Sequence, residues 1–330
     1  MLLKLKKLIG WLPIGLMRAG FCGMGIVLQR LFAGATQNPA PQRTLVYLEA
    51  VQHLRRSFKG QVNSDYPVLV INRDRDAGRL ARFQNTCRQF GIRSERLRAI
   101  DLGNPSEVPR EFESQIGDTF SGKNRFLRGA VGCFLSHAKA WRAVLDGGYE
   151  AGFVCEDDAR FLAPLPSSWK TFPLPDNCDL MFANQRMAVG LQQRTYLQQL
   201  SAERLLSIPT HHAIVALQRV IQSITGPGGD GYLVTKRGAT RLLDILKKNR
   251  ITMEVDWFLF FYSMTAGERG EFIRHEGSGR FDWLEFSDDY IHSSVLFPFW
   301  VEQSTETSTI DFMNPENYVE RSQLLSPAKP

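Results

Sequence analysis

Short unbroken apolar runs alternate along this chain with longer stretches in which apolar residues recur every three or four positions. Val68-Leu69-Val70-Ile71-Asn72 is β-branched and apolar throughout, the pattern of a buried strand. Leu80, Phe83, Cys87 and Phe90 follow at helical spacing, with Asp74 or Asp76 as the expected cap and Gly91 as the stop. Arg96 to Ile100 reads as a second short strand, so the segment opens as β-α-β and predicts a sheet with helices on both faces. Residues 102–125 are polar and bear glycine and proline, as a loop would. From Gly129, Val131, Phe134, Leu135, Ala138, Trp141, Val144 and Leu145 form one face of a helix that Gly147-Gly148 ends. Ala151 to Cys155 is the next buried strand, and Asp179 to Ala183 another. Helical periodicity runs from Leu197 to Leu206 and again from Ile214 to Ile224. Gly228-Gly229-Asp230-Gly231 is a turn, Tyr232 to Thr235 a strand, and Gly238 to Lys248 a helix. Beyond Asp256 the chain is rich in aromatics.

The flanks differ from this body. Residues 1–34 carry Lys4, Lys6, Lys7, Arg18 and Arg30 with no acid, and so supply five of the six net positive charges. The rest is close to neutral, and nucleic-acid binding is not expected. Pro13 and Arg18 break the apolar run, which favours a basic amphipathic segment lying on a membrane surface over a span or a cleaved signal. Residues 35–66 read as a linker, 67–305 as one catalytic domain, and 306–330 as a polar tail with little order. Five scattered cysteines form no C-x-x-C pair. They read as small buried hydrophobes in a reducing compartment, which places the protein on the cytoplasmic side of the membrane, with no zinc site expected.

Three consecutive acids, Glu156-Asp157-Asp158, end the hydrophobic strand 151–155. Like charges at one strand end repel. A hard divalent cation removes that objection, because Mg²⁺ and Mn²⁺ are held by one or two carboxylates together with substrate phosphates. Ligands of open α/β sheets bind beyond the carboxyl ends of strands. The plainer alternative is one acid capping a turn while the others face water.

Several motifs carry a family resemblance. Gly129-Ala130-Val131-Gly132-Cys133 with Ser136-His137 and Trp141, followed by Glu156-Asp157-Asp158-Ala159, resembles the G-E-I-G-C-x-x-S-H and L-E-D-D-A pattern of glycosyltransferase family 25. That family includes bacterial lipooligosaccharide galactosyltransferases and collagen galactosyltransferase domains. Val70 to Arg79 resembles its first strand and nucleotide-side loop. Gly231-Tyr232 to Gly238-Ala239 resembles its G-Y-x-x-S-x-x-G-A element, and Val255-Asp256-Trp257 its following V-D segment. Ala130 departs from an acid, Arg73 from an aspartate and Cys155 from an aliphatic residue.

The resemblance implies an α/β, GT-A-like, Rossmann-type mixed sheet flanked by helices. It also implies a UDP-sugar donor, most commonly of galactose, inversion at the anomeric carbon, and a glycan or lipooligosaccharide acceptor. Glu156 and Asp158 are the metal candidates for Mn²⁺ or Mg²⁺, with Asp157 positioning the donor or the metal. Ile71, Asn72 and Arg79 fall on the nucleotide side. Asp256 is the candidate base, the alternative being a helix cap, and Asp230 is the second choice. His137 is either a structural hydrogen-bond partner or a donor contact. Ser136 either packs closely or touches the ribose. Arg128 and Lys123 either meet phosphates or form a solvated basic loop. The rival from another class is a non-catalytic glycan- or nucleotide-binding protein on the same scaffold, which loss of the acidic cluster would favour.

Overall fold

The structure, a computed structural model, describes residues 64–102, 126–188, 191, 204–218, 227–276, 286–303 and 318–319. The flanking segment 1–34, nearly all of the linker, the periodic stretch 197–203 and most of the tail lie outside the described residues.

Seven strands form a mixed sheet: β1 (Val68–Asn72), β2 (Glu95–Arg98), β4 (Ala151–Glu156), β6 (Leu180–Phe182), β7 (Leu206–Pro209), β8 (Gly231–Thr235) and β9 (Ser293–Phe297). Their order is β2-β1-β4-β8-β6-β9-β7. β1 runs parallel to β2 and β4, β8 antiparallel to β4 and β6, β9 parallel to β6, and β7 antiparallel to β9. The carboxyl ends of β1, β4 and β6 therefore share one edge with the amino end of β8. Two small ladders lie outside the sheet. One joins β5 (Ala159–Phe161) to β10 (Val301–Gln303), the other β3 (Phe126–Leu127) to β11 (Tyr318–Val319).

Strand periodicity divides the core. Leu69, Ile71, Val154, Tyr232 and Val234 point to one face, and Val68, Val70, Phe153, Cys155 and Leu233 to the other. Both faces are covered, which is why these strands read as continuous apolar runs. The first face carries helices α2 (Arg128–Asp146), α5 (Lys236–Asn249) and α6 (Val255–Tyr262). The second carries α1 (Ala77–Gln89) through Phe83 and Cys87. Full burial of Phe134, Leu135 and Val144 on α2 contributes roughly 1.5–3 kcal/mol per side chain, enough to fix this helix against the sheet. The helix α5 is capped by Thr235, whose Oγ1 accepts from the Gly238 amide at 3.1 Å, and it ends on Lys247 and Lys248, which complement its dipole. Three further α-helices are described: α3 (Gln185–Ala188), α4 (Thr210–Gln218) and α7 (Ala266–Glu276).

Two expectations, the helix cap before α1 and the helix ending at Leu206, need correction. Asp76 holds the cap position before α1 but makes no cap bond, because its carboxylate pairs with Arg73 at 2.6 Å. Asp74 is drawn instead to Arg96 and Arg98 across the β1–β2 edge. Leu206 begins an edge strand rather than ending a helix: the pairing of residues 206–209 with β9 outweighs the local helical spacing. Within the expected polar tail, Tyr318 and Val319 pair with Leu127 and Phe126. No helix among the described residues is long and apolar enough to cross a membrane.

Candidate active site

Chain direction gathers the acids. Asn72 ends β1, Glu156 ends β4 with Asp157 and Asp158 in the turn beyond, and Asp230 immediately precedes β8. All three segments meet at the shared edge. The Asn72 side-chain amide donates to an Asp157 oxygen at 2.8 Å and to the Asp76 backbone carbonyl, while its side-chain oxygen accepts from Arg96 at 3.0 Å. Arg79, from the first turn of α1, reaches across to Asp157 at 2.7 Å and Asp158 at 3.0 Å. Gln303 on β10 donates to Asp158 at 3.1 Å, and its amide oxygen accepts from Arg186 on α3. The turn before β8 approaches from the other side. Gly228 adopts φ +74°, a left-handed conformation that favours glycine, and its carbonyl is held by Asn184 at 2.8 Å.

The carboxyls differ in environment. Burial, then the neighbouring Glu156 charge, push Asp158 up to about 7 against the pull of Arg79. Burial raises Asp230 to about 6, opposed by Arg186. Burial also raises Asp157, against Asn72 and Arg79, and Asp256, against Arg186. At Glu156 burial acts upward too, but the neighbouring His137 imidazole, then Arg186 and Arg79, leave it below the ordinary glutamate value. Among the described residues no other residue donates a hydrogen bond to either Asp230 oxygen or to Asp158 Oδ1; all three are buried. Acids thus outnumber the two arginines, with orphaned oxygens facing inward.

The other expected positions fall as follows. The Ile71 side chain belongs to the core, so only its backbone reaches the edge. Arg128 is the first residue of α2, half-buried; Lys123 lies outside the described residues. Ser136 is fully buried, and its hydroxyl accepts from Ile100 N at 2.8 Å and donates to Gly132 O at 2.6 Å, so both of its roles are taken by backbone. His137 is fully buried, with Nε2 3.4 Å from Glu156 Oε1. Cys133, His137 and Glu156 have ligand atoms within 4.8 Å of one another, a possible metal-binding group by proximity. Asp256 is half-buried in the first turn of α6, in the field of Glu156 and Arg186, and its Oδ1 accepts the Trp257 amide at 2.9 Å. Trp257 is half-buried and packs on Phe260 and Phe261.

Arg186 and Gln303 were not legible as site residues. A signal existed for the first: Asn184-Gln185-Arg186 directly follows the hydrophobic strand β6, whose carboxyl end opens on the same edge as Glu156. Gln303 carries no such mark, since the chain brings β10 to the site from far downstream.

Carboxylates gathered beyond the carboxyl ends of the strands stand where ligands of open α/β sheets bind. Residues 65–259 match the profile of glycosyltransferase family 25 (LPS biosynthesis protein), and the chain belongs to that family. It is 28% identical over 207 residues to procollagen galactosyltransferase 1 of Danio rerio, covering 58% of this chain and 30% of that protein. To procollagen galactosyltransferase 2 of Homo sapiens it is 32% identical over 117 residues, 34% of this chain and 18% of that one. The chain therefore spans less than a third of the length of these curated relatives.

Proposed function

We propose that this glycosyltransferase moves a sugar from a UDP-sugar to a hydroxyl of a glycan or glycolipid with inversion, on a GT-A-like scaffold, using Mn²⁺ or Mg²⁺ at Glu156 and Asp158. One observation carries the reading: five carboxyl groups (Glu156, Asp157, Asp158, Asp230, Asp256) gather near two arginines, with three buried oxygens unsatisfied. Such an all-oxygen set fits a hard cation. When bound, the cation supplies charge neutralisation for the leaving diphosphate. Asp157, clamped by Asn72 and Arg79, orients the donor side. Arg79 and Arg186 supply fixed positive charge where phosphate oxygens would lie. Asp256 takes the acceptor proton: it is half-buried, where Asp230 is fully buried, and that partial burial makes the Asp256 carboxylate more basic than an ordinary aspartate. Galactose is the donor sugar favoured by the names of the relatives.

A screen of UDP-sugars measured by release of UDP, with and without cation, tests this. EDTA should abolish transfer and Mn²⁺ restore it. Asp158→Ala should lower the rate by about 100-fold or more, several kcal/mol of transition-state stabilisation. Full transfer in metal-free buffer overturns the cation, and no turnover of any UDP-sugar with Mn²⁺ present overturns the donor class.

A further inference from the structure

Beneath the acids lies a chain of three side chains with no solvent exposure. His137 and Trp141 are one turn apart on α2, and both reach the hydroxyl of Tyr232 on β8. Trp141 Nε1 and His137 Nδ1 each lie 2.8 Å from that oxygen. An indole N–H can only donate, so the Tyr232 oxygen accepts from Trp141. The hydroxyl still has its own proton to place, and burying it without an acceptor is costly. Among the described residues the acceptor in reach is His137 Nδ1. That nitrogen is then unprotonated, and the ring proton sits on Nε2, which is buried without a hydrogen-bond partner among the described residues and has Glu156 Oε1 3.4 Å away.

The same logic bears on the neighbouring thiol. Cys133 Sγ lies 3.9 Å from Glu156 Oε1, and proximity alone would make Cys133, His137 and Glu156 a transition-metal triad. A metal ion needs a lone pair on Nε2. Supplying it would move the ring proton to Nδ1, where it would meet the Tyr232 hydroxyl proton. Gly229 leaves little room for a side chain here: a Cβ at this position would lie 3.2 Å from Glu156 Oε1 and 3.4 Å from His137 Nε2. Glu156 Oε1 thus lies beside His137 Nε2, under a position where a side chain would crowd both.

We propose that the Trp141–Tyr232–His137 chain makes His137 a positioning residue, whose Nε2–H fixes the Glu156 carboxylate toward the donor cation while the imidazole itself touches neither sugar nucleotide nor metal. The cation half of this rests on the reading of Glu156 given above; the hydrogen-bond chain does not. Groups that orient a metal-bound carboxylate typically change metal affinity by 10- to 100-fold when removed.

Two measurements on the full chain test it. In protein labelled with ¹⁵N-histidine, long-range proton–nitrogen spectra report the tautomer of each imidazole, and the signals absent from His137→Gln identify His137. The Nε2–H form is expected; the Nδ1–H form overturns the proposal. Binding of Mn²⁺ alone, followed by the paramagnetic resonance of the free ion, should weaken about 10- to 100-fold in Tyr232→Phe and His137→Ala. His137→Gln, whose amide can still donate, should recover part of it. Unchanged Mn²⁺ affinity in Tyr232→Phe and His137→Ala, whatever happens to their melting temperatures, reduces His137 to packing. If Tyr232→Phe does not fold, the His137 pair decides. Wild-type protein that binds no Mn²⁺ overturns the cation reading and the positioning role with it, while the tautomer still decides the hydrogen-bond chain. A Co²⁺–thiolate charge-transfer band that Cys133→Ser abolishes would establish the triad and overturn the proposal.

Discussion

Asp256 occupies two roles at the residue scale, and they are separable by its two oxygens. Oδ1 is tied to the Trp257 amide in the first turn of α6, a contact that an asparagine oxygen preserves. The basicity needed to take an acceptor proton is what Asp256→Asn removes. This substitution should therefore lower kcat by at least about 100-fold while leaving the helix intact. Calorimetry with UDP and Mn²⁺ should show little change. A near wild-type rate would leave Asp256 as a helix-terminal acid and turn attention to Asp230. A collapse of UDP binding in the folded variant would instead assign Asp256 to the donor side, in keeping with its place in the field of Glu156 and Arg186. At this scale the sequence located the acids but not their partners. A triplet at a strand end is visible in one dimension. That Asp158 is met by Gln303, 145 residues away, depends on how the sheet closes.

At the scale of elements, the docking of α2 on the end of β2 is set by small residues. A Cβ on Gly132 would sit 2.6 Å from the Ile100 carbonyl oxygen, a backbone atom that cannot swing aside. One turn on, the Ser136 hydroxyl bridges the Ile100 amide and the Gly132 carbonyl. Gly132→Ala sets two effects against each other. Helix propensity favours alanine by about 1 kcal/mol. Overpacking against fixed backbone costs about 1–3 kcal/mol. Net destabilisation of about 1 kcal/mol or more is expected in chemical denaturation, with donor affinity weakened as the His137–Glu156 contact shifts. A stabilised variant would show that α2 can withdraw without penalty. The apolar periodicity made α2 and its buried face legible in advance, because burial on one side leaves a 3.6-residue signature. The edge strand β7 left none: its residues are half-buried or exposed and its pairing with β9 is long-range, so local spacing misled.

Across the whole molecule, the acid cluster is a stability liability as well as an asset. Asp158 and Asp230 titrate in the folded protein at about 7 and about 6, against 3.8 for an ordinary aspartate. Below about pH 4 the groups are neutral in both states and oppose nothing. As pH rises the unfolded chain releases these protons first, while the folded protein keeps them. Folding stability therefore falls between about pH 4 and about pH 7, and the loss is complete above the folded values. Each unit of upward shift corresponds to about 1.4 kcal/mol. Asp230→Asn removes one of the buried charges. The metal-free variant should melt several degrees above wild type at pH 8, at roughly 2–4 °C per kcal/mol for a domain of this size, and the two should converge near pH 4. Mn²⁺ should raise the wild-type melting temperature at pH 8, since binding to the folded state alone stabilises it. Differential scanning fluorimetry across this pH range, with EDTA or Mn²⁺, reads all three effects. A variant that melts at or below wild type at pH 8 without metal would mean that the Asp230 carboxylate is satisfied in solution, most simply by Arg186, and that the charge imbalance at the sheet edge is smaller than the geometry implies.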